Sequence, residues 1–314
     1  MVDKGFMKRI IRLGTRGSRL ALIQAGWVRD KLKEVCPSAQ VEIVPIQTKG
    51  DRMRTRSFGR YDDTGLFTKT IEDALLRNEV DAAVHSLKDL PTVQPAGLAV
   101  IAVPERLDPH DALVSRDGLA MEQIKEGMRV GTSSVRRRAQ LLALNNEIDV
   151  VDLRGNLDTR IKRLSNGKFD AIVVAMAGLI RMRRDDVNAV PIPFETMLPA
   201  AGQGALAIEA REDDSKFVTV FAGLNHEESA VTTRAERMVL RLLGAGCHVP
   251  IGVLAEYVGG GDIRLRCGVF SRDGQTTIRA SSVGSDAQDA VNEIVNKLDS
   301  QGARGLIDEP ERNV

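Results

Sequence analysis

Three segments recur, in the same order, in two halves of this chain, and that echo constrains the fold more than any other feature. Ile11-Arg12-Leu13-Gly14-Thr15-Arg16-Gly17-Ser18 is matched by Met128-Arg129-Val130-Gly131-Thr132-Ser133-Ser134-Val135. Val41-Glu42-Ile43-Val44-Pro45-Ile46-Gln47-Thr48-Lys49-Gly50-Asp51 resembles Asp149-Val150-Val151-Asp152-Leu153-Arg154-Gly155-Asn156. Asp81-Ala82-Ala83-Val84-His85-Ser86-Leu87-Lys88-Asp89-Leu90 resembles Asp170-Ala171-Ile172-Val173-Val174-Ala175-Met176-Ala177-Gly178-Leu179. Each segment reads as a β-branched strand ending in Gly or polar residues and leading to a helical pattern. Two doubly wound α/β domains with parallel sheets are therefore expected. Ligands of such sheets sit beyond the carboxyl ends of the strands, where these polar turns fall.

The 314 residues, 43% of them hydrophobic, suffice for two or three domains with cores of their own. The segments 103–110 and 191–199, rich in proline, read as two crossings between the halves. Beyond Asn225, Thr233-Arg234-Ala235-Glu236 has the pattern of a capping box opening a helix that stops at Gly244. Strands are expected at 253–258, 263–270 and 276–283, then a helix presenting Val291, Ile294, Val295 and Leu298 on one face. That makes a small α+β C-terminal domain. In the helix after the first echo, Leu20, Ile23, Trp27, Leu32 and Val35 approximate helical spacing and are the expected buried face.

Lys plus Arg (44) nearly balance Asp plus Glu (43), and aromatics make up 4%, so no global field or stacking surface favours nucleic acid. No apolar run approaches a membrane span, and the charged first residues do not read as a leader, so a cytoplasmic protein without membrane contacts is expected. Cys36, Cys247 and Cys267 are far apart and have no partner at metal-ligand spacing, which argues against disulfides and zinc. The four histidines form no HxxxH-type pair, and Gly59-Arg60-Tyr61-Asp62-Asp63-Thr64-Gly65 is not a phosphate-binding loop.

Basic residues must therefore act locally. Arg16 in the first half, and Arg136, Arg137, Arg138, Arg154, Arg160 and Arg181 in the second, gather at strand ends and first helix turns, the outline of a polyanion site. A run such as 136–138 can equally be a solvated helix face; recurrence at equivalent turns favours binding. Lys88-Asp89 stands where the echo has Ala177-Gly178, so the fold does not require the charged pair. A carboxylate about 4 Å from a developing cation contributes about 4 kcal/mol at an effective dielectric near 20, roughly a thousandfold in rate if the contact exists only in the transition state. Asp89 is thus a candidate for holding a ring N–H or stabilising a cation. Cys247, in the glycine-bounded loop Gly246-Cys247-His248-Val249-Pro250-Ile251-Gly252, is a candidate for covalent use, or else a buried small hydrophobe.

Taken together, Thr15-Arg16-Gly17-Ser18, Gly65-Leu66-Phe67, His85-Ser86-Leu87-Lys88-Asp89-Leu90-Pro91, Gly131-Thr132-Ser133-Ser134-Val135-Arg136-Arg137, Leu153-Arg154-Gly155-Asn156, Leu198-Pro199-Ala200-Ala201-Gly202-Gln203-Gly204 and the Cys247 loop resemble the porphobilinogen deaminase (hydroxymethylbilane synthase) family from about Arg12 into the third domain. The resemblance implies two periplasmic-binding-protein-like α/β domains, 1–104 completed by 200–222 and 105–199, with an α+β domain over 223–314. It implies a transferase of haem and porphyrin biosynthesis, a cytoplasmic monomer, that joins four porphobilinogen molecules head to tail, releases ammonia and yields hydroxymethylbilane. A dipyrromethane cofactor would be attached by a thioether to Cys247. Carried onto matching positions, Asp89 and Lys88 would be catalytic. Lys88, Asp89, Thr132, Ser134, Arg136, Arg137, Arg154 and Gly155 would hold the cofactor, and Arg16, Ser18, Arg154, Arg160, Arg181 and Gln203 the substrate. No metal is implied. The chain departs from the family pattern at Tyr61-Asp62-Asp63-Thr64, where a lysine is usual. The rival classes are a two-lobed small-anion binding protein, which needs neither Cys247 nor Asp89, and a nucleic-acid binder, which the charge balance disfavours.

Overall fold

The computed structural model describes residues 10–47, 68–246 and 248–308. The expectations for 48–67, among them the acidic loop Tyr61-Asp62-Asp63-Thr64 and Gly65-Leu66-Phe67, and for the thiol of Cys247 lie outside these residues. The chain forms two compact units, Met1–Leu107 with Gly204–Ala230, and Asp108–Gln203 with Val231–Val314.

The first unit opens with β1 (Ile10–Arg16), β2 (Gln40–Ile46), β3 (Ala82–Ser86) and β4 (Leu98–Ala102). The second carries β5 (Asp111–Ser115), β6 (Arg129–Gly131), β7 (Asp149–Val151), β8 (Ala171–Ala175) and β9 (Asn188–Pro191). The chain returns to the first unit as β10 (Leu206–Arg211), and β11 (Ile251–Tyr257), β12 (Ile263–Phe270) and β13 (Thr277–Gly284) then belong to the second. The two larger sheets have the same plan, β2-β1-β3-β10-β4 and β7-β6-β8-β5-β9. β1 runs parallel to β2 and β3, and β6 parallel to β7 and β8.

The sheets are mixed rather than purely parallel as expected. β10 is antiparallel to β3 and β4, and β5 to β8 and β9. Each of these two strands is the first after the chain passes between units, so no helical crossover precedes it to impose a parallel course.

The echo is physical as well as literal. Asp81, fully buried, accepts the Arg12 backbone N–H at 2.9 Å and its guanidinium Nη2 at 2.8 Å. Asp170 accepts the Arg129 N–H at 2.7 Å. Both strand pairs are thus pinned by the same carboxylate at the same place.

The helix Arg19–Val35 buries only part of the expected face, Leu32 fully and Leu20 and Ile23 in half. Ala21, Gln24, Ala25, Val28 and Leu32 face inward, while Trp27 is 40% exposed and Val35 48%. Small alanines at this spacing let the helix lie close on the sheet, and Ala25, Val28 and Leu32 join Ile11, Leu13, Val84, Ile208, Phe217 and Phe221 in one core.

The capping-box expectation also gives way. The helix runs Glu227–Leu242, so Thr233 and Glu236 lie inside it, and Glu227 and Glu228 supply the acidic first turn. Glu236 is fully buried, and its carboxylate accepts the Gly202 N–H at 2.6 Å and the Ala255 N–H at 2.9 Å. Its role is tertiary. The expected strands of the C-terminal layer occur as β11–β13 within two residues of their expected bounds. Val291, Ile294, Val295 and Leu298 of helix Ala287–Ser300 pack in the same apolar cluster as Val253, Leu265 and Val269. β11 meets the second crossing closely: Val253 N–H donates to Pro199 O at 2.9 Å, and a Cβ on Gly252 would fall 2.6 Å from Leu198 Cβ. No helix of the described residues is long and apolar enough to cross a membrane.

Candidate active site

In the first unit, β1 ends at Arg16, and Ser18 caps the next helix by accepting the Ala21 N–H at 3.4 Å. β3 ends at Ser86 and passes into a single 3-10 turn, Leu87–Asp89. Leu87 and Leu90 are buried at 2% and 3%, and the Leu87 N–H donates to Ala205 O at 3.0 Å. Two anchored leucines therefore bracket the pair between them, leaving Lys88 half-buried and Asp89 exposed.

Asp89 shares a recess with Arg16, Ser18, Gln24, Thr68, His85 and Ser86. Gln24 Nε2 donates to Ser86 Oγ at 3.0 Å, tying the first helix to the end of β3. Of the expected residues the structure brings Arg16, Ser18 and Asp89 together here. It adds Gln24, His85 and Thr68, which the sequence reading missed. Gln24 had left a signal, a polar residue at the same spacing as Ala21, Ala25 and Val28.

In the second unit, the turns after β6 and β7 lead into helices Val135–Leu144 and Leu157–Ser165. Ser134 caps the first by accepting the Arg137 N–H at 3.4 Å, and Asn156 the second by accepting the Thr159 N–H at 2.9 Å. Between them Gly155 has φ 118°, in the left-handed region, where a Cβ would stand 2.9 Å from the Thr159 methyl. Arg160 Nε donates to Gly155 O at 2.8 Å, and its Nη2 reaches Ser133 Oγ at 3.5 Å. Arg154 is exposed and bonds Asp152 at 2.8 Å. The surface therefore combines two positive helix ends, hydroxyls and two guanidinium groups. Arg181 ends the helix Met176–Arg181, half-buried, and burial pulls its guanidinium down to about 10. Thr132 is buried, its Oγ1 accepting the Ser134 N–H at 3.2 Å.

Arg136 and Arg137 lie elsewhere. Both are 5% exposed and converge on fully buried Asp111: Arg136 Nη1 reaches Oδ2 at 2.6 Å and Arg137 Nε reaches Oδ1 at 2.9 Å. Arg136 Nη1 also donates to Leu198 O, and Arg137 Nη1 donates to Val173 O. Gln203, also fully buried, donates to the same Asp111 at 3.0 Å and to Pro109 O at 2.8 Å. Burial alone would push the Asp111 carboxyl up, but the charges of Arg136 and Arg137 and the hydrogen bonds from Arg136 and Gln203 outweigh it. They hold it well below the usual carboxylate range. Arg138 is exposed and bonds Val150 O at 2.6 Å. The three consecutive arginines thus divide into two internal braces and one surface residue.

Matches to known proteins follow the same outline. The profile described as "Porphobilinogen deaminase, dipyromethane cofactor binding domain" matches residues 11–219, and "Porphobilinogen deaminase, C-terminal domain" matches 230–300. The porphobilinogen deaminase of Pelotomaculum thermopropionicum is 45% identical over 303 residues, covering 96% of this chain and 97% of that protein. That of Desulforamulus reducens is 43% identical over 306 residues (96% and 98%), and that of Bacillus subtilis 41% over 309 residues (98% and 98%). Among solved structures, an ancestral cationic amino acid solute binding protein is 13% identical with a TM-score of 0.44, over 76% of this chain and 93% of that one.

Proposed function

The chain belongs to the porphobilinogen deaminase family, a transferase that joins four porphobilinogen molecules head to tail with loss of ammonia to give hydroxymethylbilane, and from that premise we propose a division of labour among its residues. The non-catalytic anion binder yields to this reading.

We assign the chemistry to Asp89. It is exposed in a recess with Arg16, on a turn held by two buried leucines. Ionised, the carboxylate accepts the pyrrole N–H and stabilises the azafulvene-like cation left on the substrate as ammonia departs; it then helps remove the proton from the joined ring. Lys88 supports it from the same turn. Arg16 and Ser18 hold substrate acid groups in the first unit, Arg154, Arg160 and Arg181 in the second. Each pyrrole carries an acetate and a propionate, so a growing chain needs many such partners.

The family's dipyrromethane cofactor is a covalent primer, which supplies the acceptor ring for the first condensation. Its acid groups fit the second unit's surface, where Ser134, Arg154 and the Gly155 turn line two helix N-termini and Thr132 fixes the Ser134 turn; we also assign Lys88 and Asp89 to holding the cofactor. We place its thioether on Cys247, in the 223–314 segment. Arg136, Arg137 and Gln203 are engaged with buried Asp111, and we read them first as internal braces of the second unit. The protein is further read as a cytoplasmic monomer. Cys36 and Cys267 are free thiols, in keeping with a reducing compartment, and light scattering on the purified protein tests the mass.

The match over 11–219 with the cofactor-binding profile carries this reading. Its test is the intact mass of the denatured protein beside that of Cys247→Ala. A gain equal to two condensed pyrrole units, absent from the variant, is expected; an unmodified protein that gains nothing and stays inactive with porphobilinogen would overturn the assignment of Cys247.

A further inference from the structure

Behind the 86–89 turn the first unit buries three ionisable side chains that the reaction as described leaves unused. Glu72 comes from helix Lys69–Leu76, His85 from β3 and Glu209 from β10, with exposures of 5%, 6% and 0%. His85 Nε2 lies 3.1 Å from Glu209 Oε2. Yet that nitrogen and both Glu209 oxygens have no partner in hydrogen-bond geometry among the described residues, and Glu72 has only the neighbouring Thr68 hydroxyl to hold its carboxyl down. Burial first, then repulsion from Glu209, push the Glu72 carboxyl up from its ordinary value. Buried polar groups left unsatisfied cost about 1–3 kcal/mol each, so stability does not account for the trio.

The second unit offers a comparison within the same chain. Superposing Asp81 on Asp170, the two carboxylates that pin their sheets alike, sets Glu72 against Ile161 and His85 against Val174. No gap intervenes, since Asn78 and Gly167, three residues before each aspartate, both have positive φ, 58° and 70°. Strand register supplies the third match: Glu209 pairs with Ala83 and Val114 with Ile172, and Ala83 corresponds to Ile172. Ile161, Val174 and Val114 belong to one apolar cluster. The same backbone therefore closes over three aliphatic side chains where Ala177-Gly178 follows, and over two carboxyl groups and an imidazole where Lys88-Asp89 follows. The polar trio goes with the chemistry rather than with the fold.

We propose that Glu72, His85 and Glu209 form a proton-sharing positioning group that holds the 86–89 turn, and with it Asp89, in working geometry. The inference deepens the assignment of Asp89 and rests on it. His85 is the link, because it lines the recess with Asp89 while its Nε2 faces Glu209. Among the described residues, the charged groups around the trio are Asp73 beside Glu72, and Arg16 and Asp89 in the recess. A proton passing within the trio leaves its net charge and packing unchanged but moves positive charge to or from His85, the member that lines the recess with Asp89.

The test transplants the second unit's residues into the first as the triple variant Glu72→Ile, His85→Val, Glu209→Val. Apolar replacement of a buried ionic cluster is often neutral or stabilising, so an unchanged or higher melting temperature is expected. With it we expect kcat to fall by about tenfold or more while KM stays within a few fold, the signature of lost transition-state positioning. His85→Gln and Glu209→Gln, which keep hydrogen bonding but cannot titrate, carry the test should the triple variant not fold. Both should displace the acid limb of the kcat profile by about half a pH unit or more, and Glu209→Gln should move the NMR titration of the His85 imidazole. A folded triple variant with wild-type kcat, or Gln variants with the wild-type pH profile and His85 titration, would overturn the proposal. The NMR readout needs no turnover, and the wild-type primer mass measured alongside separates failure here from failure of the functional reading.

Discussion

Asp89 sits exposed between two buried leucines, so its side chain can be changed without disturbing what holds the turn. Asp89→Asn is expected to keep the wild-type melting temperature while kcat falls by roughly a thousandfold, the rate equivalent of about 4 kcal/mol of cation stabilisation. Steady-state kinetics beside a thermal melt decide it, and a loss below tenfold would remove Asp89 from the cation's neighbourhood. Asp111 predicts the opposite. Asp111→Asn leaves Arg136 and Arg137 buried without their counter-charge and should cost about 3–5 kcal/mol in urea unfolding at neutral pH. Because the folded carboxyl is held below its unfolded value, its contribution is complete above about pH 4 and declines as pH falls further toward the folded value. The gap between wild type and variant should therefore narrow in acid; a constant gap would mean that charge is not the source. The division of 136–138 into braces and surface residue was not legible beforehand, because the deciding partner, Asp111, lies 25 residues away in sequence.

The helices separate what local sequence encodes from what it does not. Ser18, Ser134 and Asn156 cap the helices that follow the echoed turns, since an N-cap needs only its own side chain and an amide three residues on. Ser134→Ala should accordingly cost about 1 kcal/mol by chemical denaturation, and no change would mean that the 3.4 Å contact contributes nothing. Thr233 to Glu236 carried the same letters with a different meaning, because the Glu236 carboxylate serves two amides from other segments, Gly202 and Ala255. Glu236→Gln retains one oxygen and turns an N–H₂ toward a buried N–H, so a loss of about 1–3 kcal/mol is expected in the same assay. Trp27 and Val35 misled for a related reason. Apolar periodicity weights large side chains, whereas Ala21 and Ala25 are buried because the sheet lies close beneath them.

At the scale of the molecule, three segments echoed in the same order made the duplication readable from the letters alone, and two sheets of one plan with two equivalent carboxylate pins bear it out. The resemblance supplied what periodicity could not: that residues after the second crossing return to complete the first unit. That return has a consequence during synthesis on the ribosome. β10 lies between β3 and β4, yet it is translated about one hundred residues after β4, a delay of roughly 5–20 s at 5–20 residues per second. Until it emerges, β3 and β4 have no partner on the sides they will share with it, and the nascent chain displays two open strand edges beside a core that still lacks Leu206, Ile208, Phe217 and Phe221. A chain ending at residue 203 should leave the β3 amides that face β10 exchanging freely with solvent, whereas the full-length protein protects them; equal protection in both would show that the edge is covered before β10 is made. A first domain that waits for its last strand leaves the nascent chain carrying edges open to pairing with other chains until translation catches up.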